Sequence, residues 1–260
     1  MKKLMALILA LALTICFAGC GAEDSASDLE YITNNGKIVV GITDFAPMDY
    51  QDENGEWIGF DADMAKLFAE YLGVEVEFIV IDWDNKIFEL ENKSIDVVWN
   101  GMTLTDKVKD AMGCADAYCK NAQVVVVKAD IADQYQDESS LADLAFAVEA
   151  GSAGMETVAG LGLNYTEVAY QSDALMEVAA GTSDACVIDL LMAGAMIGEG
   201  TAYPDLTYTV SLTSEEYVVG FRKGSDLVEK FNAFWAELCA NGTVLEVAKT
   251  YGVQESVIIK

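Results

Sequence analysis

Short apolar runs alternate with segments of helical periodicity along almost the whole of this 260-residue chain, and that alternation limits the fold more than any other feature. Lys37–Ile42 (KIVVGI) has the length and β-branched content of a buried strand. From Phe60 to Gly73, residues Phe60, Met64, Leu67, Phe68 and Leu72 fall at helical spacing and the segment closes on a glycine. Glu75 to Ile81 is again strand, and Lys86 to Asn92 a short helix. A further strand precedes a polar stretch that ends near Ser140, and the same logic returns after it. Strands are expected at Val124–Lys128, Leu144–Val148 and Asp184–Ile188, and helices from Met155 and over Leu190–Ile197. A last strand follows at Tyr217–Phe221, and Gly242 separates two closing helices within Leu227–Tyr251. Strands alternating with helices of this length predict an α/β fold of parallel sheet covered on both faces, divided into two lobes. In such folds ligands bind beyond the C-terminal ends of strands.

The stretch Ile95 to Asp110, IDVVWNGMTLTDKVKD, shows what such a strand end offers. An apolar run enters Asn100-Gly101 and gives way to a Thr-rich start of helix. Glycine lets backbone approach a ligand closely, and Thr103 or Thr105 can cap the helix, leaving N–H groups aimed at an anion. An ordinary strand-to-helix turn would look the same. Gly41 to Pro47 lies at a second strand end, which puts both segments on one rim.

At its start, Lys2 and Lys3 precede an apolar run from Leu4 to Phe17 and then Ala18-Gly19-Cys20. This reads as a secretory signal over residues 1–19, too short for a comfortable membrane span. The small residues before Cys20 resemble a bacterial lipobox, with Phe17 departing from the aliphatic residue usual there, and the resemblance implies a lipid anchor at Cys20 followed by a tether through residue 27. The protein is therefore expected outside the cytoplasm, held to the cell membrane by lipid alone. A net charge of −28 argues against nucleic acid and anionic lipid surfaces as partners. There is no histidine, and Cys114, Cys119, Cys186 and Cys239 form no close pair of metal-ligand spacing, so neither metal nor cofactor is expected. Their apolar surroundings favour free thiols, with a Cys114–Cys119 disulfide as the alternative.

With these pieces in place, the chain resembles the extracellular solute-binding proteins of polar amino-acid uptake transporters. The resemblance runs from about Lys37 to Tyr251. It is carried by GITDFAPMDYQDENGEWIGFDADMAKLFAEYLGVEVEF, IDVVWNGMTLT, VEAGSAG, DACVID and EEYVVGFRKGSDL, in the family's order and spacing. It implies the two-lobe periplasmic-binding-protein fold of type II, each lobe a sheet flanked by helices. The first lobe would be residues 28–123 with 213–260 and the second 124–212, joined by crossover strands near Gln123 and Thr213. By position, Asp44 and Phe45 would stand on the first-lobe rim, and Gly101 and Thr103 would offer a carbonyl and a hydroxyl. Gly151, Ser152 and Ala153 would offer N–H groups, and Asp189 would hold the ligand's ammonium. A carboxylate in a cleft that excludes water is suited to that task, although Asp189 could equally cap the helix at Leu190. Glu149 adds a further acid. Phe45, Trp83 and Tyr118 are candidates to wall the ligand's side chain, or they belong to the core.

One position departs from the family pattern. Val108 stands where relatives commonly carry an arginine that clamps the ligand's carboxylate; Lys107 and Lys109 beside it do not automatically inherit that direction, and the alternative is that one of them turns inward and restores ordinary amino-acid binding. The expected function is that of a lipid-tethered, monomeric receptor that captures an amino acid or related small amine, cationic amines favoured, for an ATP-driven permease. The alternatives are a sensor or adhesion lobe that has lost its ligand, and an enzyme of the cyclohexadienyl dehydratase type on the same fold. Without histidine, acid–base work would fall to Glu149, Asp189 or a lysine, and no nucleophile–base pair is visible, so the chain reads as a binder. The N-terminal reading predicts that a fatty-acid analogue labels the wild-type protein and not Cys20→Ser; equal labelling would refute it.

Overall fold

The computed structural model describes residues 27–259; the expected signal segment, Cys20 and the rest of the tether before residue 27 lie outside the described residues. The alternation of strands and helices resolves into two five-stranded sheets with helices packed against them. In the first sheet the order is Glu75–Val80, Lys37–Ile42, Val97–Val98, Gly220–Phe221, Gly113–Cys114. The first three run parallel, with Lys37 to Ile42 in register against Glu75 to Val80, while Gly220–Phe221 lies antiparallel to both of its neighbours. The second sheet repeats this plan as Asn164–Val168, Ala145–Glu149, Ala185–Asp189, Gln123–Lys128, Leu206–Ser211. Here Gln123–Lys128 is the antiparallel member. The wholly parallel sheet expected from sequence is thus corrected to a mixed one. In each sheet the antiparallel strand is reached just after the chain crosses over from the other.

The two passages lie side by side. Cys119–Asn121 leads out and Glu215–Tyr217 leads back, paired antiparallel with Tyr217 opposite Cys119. Gln123 already pairs with Asp189 in the second sheet. The single strand expected over Tyr217–Phe221 is therefore two short ones, because its residues change partners from Cys119–Asn121 to Val98 and Cys114 within a few positions.

Val124 to Val127 are fully buried, as a strand covered on both faces requires. The Phe60–Leu72 helix buries Phe60, Met64, Ala65 and Phe68 at helical spacing and ends at Gly73 as its sequence predicts. Phe68 meets Phe231 and Phe234 of the Leu227–Asn241 helix with ring centroids 5.4 and 5.0 Å apart, and Trp99 meets Phe231 edge-on at 4.9 Å. The four cysteines within the described residues are free, Cys119 and Cys186 buried and Cys114 and Cys239 half-buried. No helix among the described residues is long and apolar enough to cross a membrane.

Phe231 touches Phe68, Trp99, Phe221, Phe234 and Trp235. Phe231→Ala should therefore cost about 3–5 kcal/mol in urea denaturation; a loss under about 1 kcal/mol would mean the cluster collapses around the gap.

Candidate functional site

Asn100 fixes the first-lobe rim. Its Nδ2 donates to the Thr43 carbonyl (3.0 Å) and Asp49 Oδ2 (2.8 Å), and its Oδ1 accepts from the Thr43 N–H and hydroxyl (3.1 and 2.7 Å). All four bonding directions of the amide are used, so the two strand ends at Ile42 and Val98 are locked together. The next residue, Gly101, donates its N–H to Asp61 Oδ2 at 2.7 Å. Its φ of +54° and the proximity of Phe45, whose ring would lie 2.5 Å from an added Cβ, leave room for glycine alone. Thr105 rather than Thr103 caps the following helix, its hydroxyl accepting from the Val108 N–H at 3.3 Å. The Thr103 hydroxyl donates to Glu215 (2.8 Å).

Across the cleft, Glu149 and Asp189 are the last residues of adjacent parallel strands in the second sheet. Ser152 caps the Ala153–Gly160 helix that follows Glu149, accepting from the Met155 N–H at 3.0 Å. Between the walls lies a cavity of about 20 Å³. Of the residues expected from sequence, it brings together Phe45, Trp83, Gly101, Thr103, Glu149, Gly151, Ser152, Ala153 and Asp189. Two stand apart. Asp44 is exposed outside the cavity, and Tyr118 is core, 1% exposed, its hydroxyl donating to Asp61 Oδ2 at 2.6 Å.

The cavity also contains residues that sequence reasoning had not assigned to it: Lys86, Asn100, Met102, Thr105, Glu156 and Gln171, along with Lys107 and Val108. For Lys86 a signal existed. Trp83, Lys86 and Leu90 fall three and four residues apart, on one face of a short helical segment, and all three are buried. Its Nζ, 4.6 Å from the Trp83 ring centroid, donates to the carbonyls of Trp83 (3.0 Å) and Gly151 (2.9 Å), so it bridges the two lobes. Gly151, at φ +69°, approaches so closely that an added Cβ would lie 2.6 Å from Asp84 Cα. At the mouth, Lys107 Nζ lies 3.9 Å from Asp84. No cluster among the described residues could hold a metal ion.

The Asp189 carboxylate, like the Asn100 amide, takes part in four hydrogen bonds. Its Oδ1 accepts from Asn121 Nδ2, Gln123 Nε2 (3.1 Å) and the Tyr217 hydroxyl (2.7 Å). Its Oδ2 accepts from Gln171 Nε2 alone and keeps a free acceptor direction. The Asp189 N–H returns a bond to Gln171 Oε1 at 2.9 Å. Every one of these donors is neutral. Burial, followed by the nearby Glu215 charge, pushes the Asp189 carboxyl up to about 7. Burial and the neighbouring Asp189 push Glu149 up to about 8, and its Oε1 has no hydrogen-bond partner. Burial and Lys107 bring Lys86 down to about 8. Beneath the rim, burial raises Asp61 to about 7, and burial and Asp61 raise Asp49 well above the usual range.

The comparisons bear on this geometry. Residues 38–254 match the model of the bacterial extracellular solute-binding proteins, family 3. The arginine-binding extracellular protein ArtP of Bacillus subtilis (strain 168) is 28% identical, over 96% of this chain and 98% of its own length. Among solved structures, a mutant of ArgBP from T. maritima is 32% identical with a TM-score of 0.81, covering 86% of this chain and 98% of that one. The ancestral amino acid-binding protein AncCDT-1, a precursor of cyclohexadienyl dehydratase, is 29% identical with a TM-score of 0.80, covering 86% and 99%.

The raised carboxyls predict an unusual pH dependence. Their folded forms keep protons that the unfolded chain has released, so their contribution is complete below the ordinary carboxyl range and declines as pH rises through about 7 and about 8. The lowered Lys86 acts in the opposite sense only above about pH 8. Chemical denaturation should therefore show stability falling from pH 5 to 8, with Glu149→Gln flattening the upper part of the slope. Stability that rises over this range would contradict the assignment.

Proposed function

The chain belongs to the bacterial extracellular solute-binding proteins of family 3, and from that premise we propose that it is the receptor of an ATP-driven importer, capturing an amino acid or related small amine between its lobes. The observation that carries this reading is Asp189: a buried carboxylate at a strand end, surrounded by neutral donors and lacking a cationic partner among them. A ligand ammonium at the open direction of Oδ2 supplies the missing charge, in a setting where a charge-assisted hydrogen bond is strong. Phe45 and Trp83 flank the remainder of the ligand. The Ala153 N–H, at a helix start, is placed to share its anionic end, whereas the Ser152 N–H is taken by the Glu149 carbonyl at 3.2 Å.

The free space holds one water-sized group, so an amino acid enters only when the lobes part. The motion we infer is a rotation about the paired strands Cys119–Asn121 and Glu215–Tyr217, with lobe boundaries near Gln123 and Thr213. The receptor acts as a monomer, anchored to the membrane through lipid at Cys20 and presenting its closed form to the permease. The names of ArtP and of AncCDT-1, an amino acid-binding protein, support the ligand class.

A thermal-shift panel of arginine, lysine, glutamine, histidine, cystine, glutamate and their available decarboxylated amines tests the reading, since a ligand at 100 times its Kd adds about 2.7 kcal/mol to stability. At least one should bind saturably and be recovered unchanged. Asp189→Asn should weaken that binding by at least about tenfold, near 1.4 kcal/mol. Turnover of the ligand, or affinity untouched by the substitution, would overturn the proposal.

A further inference from the structure

The missing arginine leaves a specific question about the ligand's carboxylate. Val108 lines the cavity and offers no charge. Lys109 is exposed, while Lys107 reaches towards Asp84 at the mouth with half its side chain in solvent. Lys86 differs from both. It is 3% exposed and lines the same cavity as Val108.

We propose that Lys86 binds the carboxylate of the ligand from the opposite wall to Asp189, so that the site selects zwitterionic amino acids over the amines obtained by removing the carboxylate. The proposal rests on the receptor reading above. An ammonium has three N–H donors and no acceptor; the Trp83 and Gly151 carbonyls take two and fix the position of the nitrogen, and the third remains for the cavity. Both partners are neutral, so the buried charge lacks a hydrogen-bonded counter-ion. Glu149 does not supply one, because Lys86 bonds only to carbonyls and Glu149 Oε1 is unpartnered. An unpaired buried charge is costly, and a carboxylate arriving with the ligand removes that cost.

The cavity is therefore bipolar. Its cations, Lys86 and Lys107, come from the first lobe and its acids, Glu149, Glu156 and Asp189, from the second, a complement to a molecule whose opposite charges lie at one end. A decarboxylated amine satisfies Asp189, adds a positive charge near Lys86 and leaves that lysine without its anion. The Gly151 carbonyl belongs to the turn that leads into the helix N–H of Ala153, so one lysine both ties the lobes together and faces the anionic end.

The test uses calorimetry with matched pairs: arginine and agmatine, histidine and histamine, leucine and isopentylamine. For whichever pair contains a ligand, the wild type should bind the amino acid at least about tenfold more tightly than the amine, that is about 1.4 kcal/mol. Lys86→Met should lose at least about tenfold more affinity for the amino acid than for the amine, and Lys86→Arg should keep the preference to within about threefold. Because each comparison is a ratio within one variant, partial misfolding cancels. Equal weakening of both members by Lys86→Met makes Lys86 a lobe tie only and overturns the proposal, as does a wild type that prefers the amine. A wild type that binds no amino acid or amine fails at the earlier step, removing the receptor reading and this one with it.

Discussion

Keeping the Asp189 charge in a place without water is the constraint on which the rest of this cleft depends. Its oxygens are served by Asn121 and Gln123 on the outgoing passage, Tyr217 on the returning one, and Gln171 at the start of a second-lobe helix. Glu215, also on the returning strand, accepts from the same Asn121 and Gln123 amides and from Thr103. The carboxylate at the base of the cavity and the strands joining the lobes therefore belong to one hydrogen-bond network. Asp189 is bonded directly to residues of the joint, and removing a single member leaves its partners buried and unsatisfied.

Strand topology explains why the joint can serve two sheets equally. Each sheet has three parallel strands of its own, then an antiparallel strand delivered by a crossing, then an edge strand, of two residues in the first sheet and six in the second. The second sheet is built from one continuous stretch, whereas the first is unfinished until the chain returns. The first obtains Gly220–Phe221 only after the second is made, which ties residues more than a hundred positions apart into one ladder. Such non-local pairing raises the contact order, which slows folding.

Much of this was legible from residues close together in sequence. Lys37–Ile42 and the Phe60 helix with its closing glycine follow from local pattern, because their burial is periodic and their ends carry their own stop signals. The antiparallel strands were not legible as such: what makes Gly220 part of the first sheet is Val98, which no local pattern announces. The strand over Asn164–Val168 was missed because four of its five residues are exposed at a sheet edge and it lacks an apolar run. At the site, motif position brought nine residues to one cavity, whereas Asp44 and Tyr118 lie to either side of it, one in solvent and one under the rim. Lys86 escaped because a lysine near a helix start is usually solvated; only its shared face with Trp83 and Leu90 marks it as buried.

The close approach of Gly151 to Asp84 has a consequence for how size is judged. Gly151 has no side chain of its own to hold the walls apart, and its backbone faces the Cα, Cβ and Oδ1 of Asp84. On the closure proposed above, the Asp84 Cα at this contact would act as an end-stop, because backbone does not yield as a flexible side chain does. A graded difference in the length of a held molecule would then become a nearly binary difference in outward shape, the kind of signal a membrane partner could read without touching the cargo.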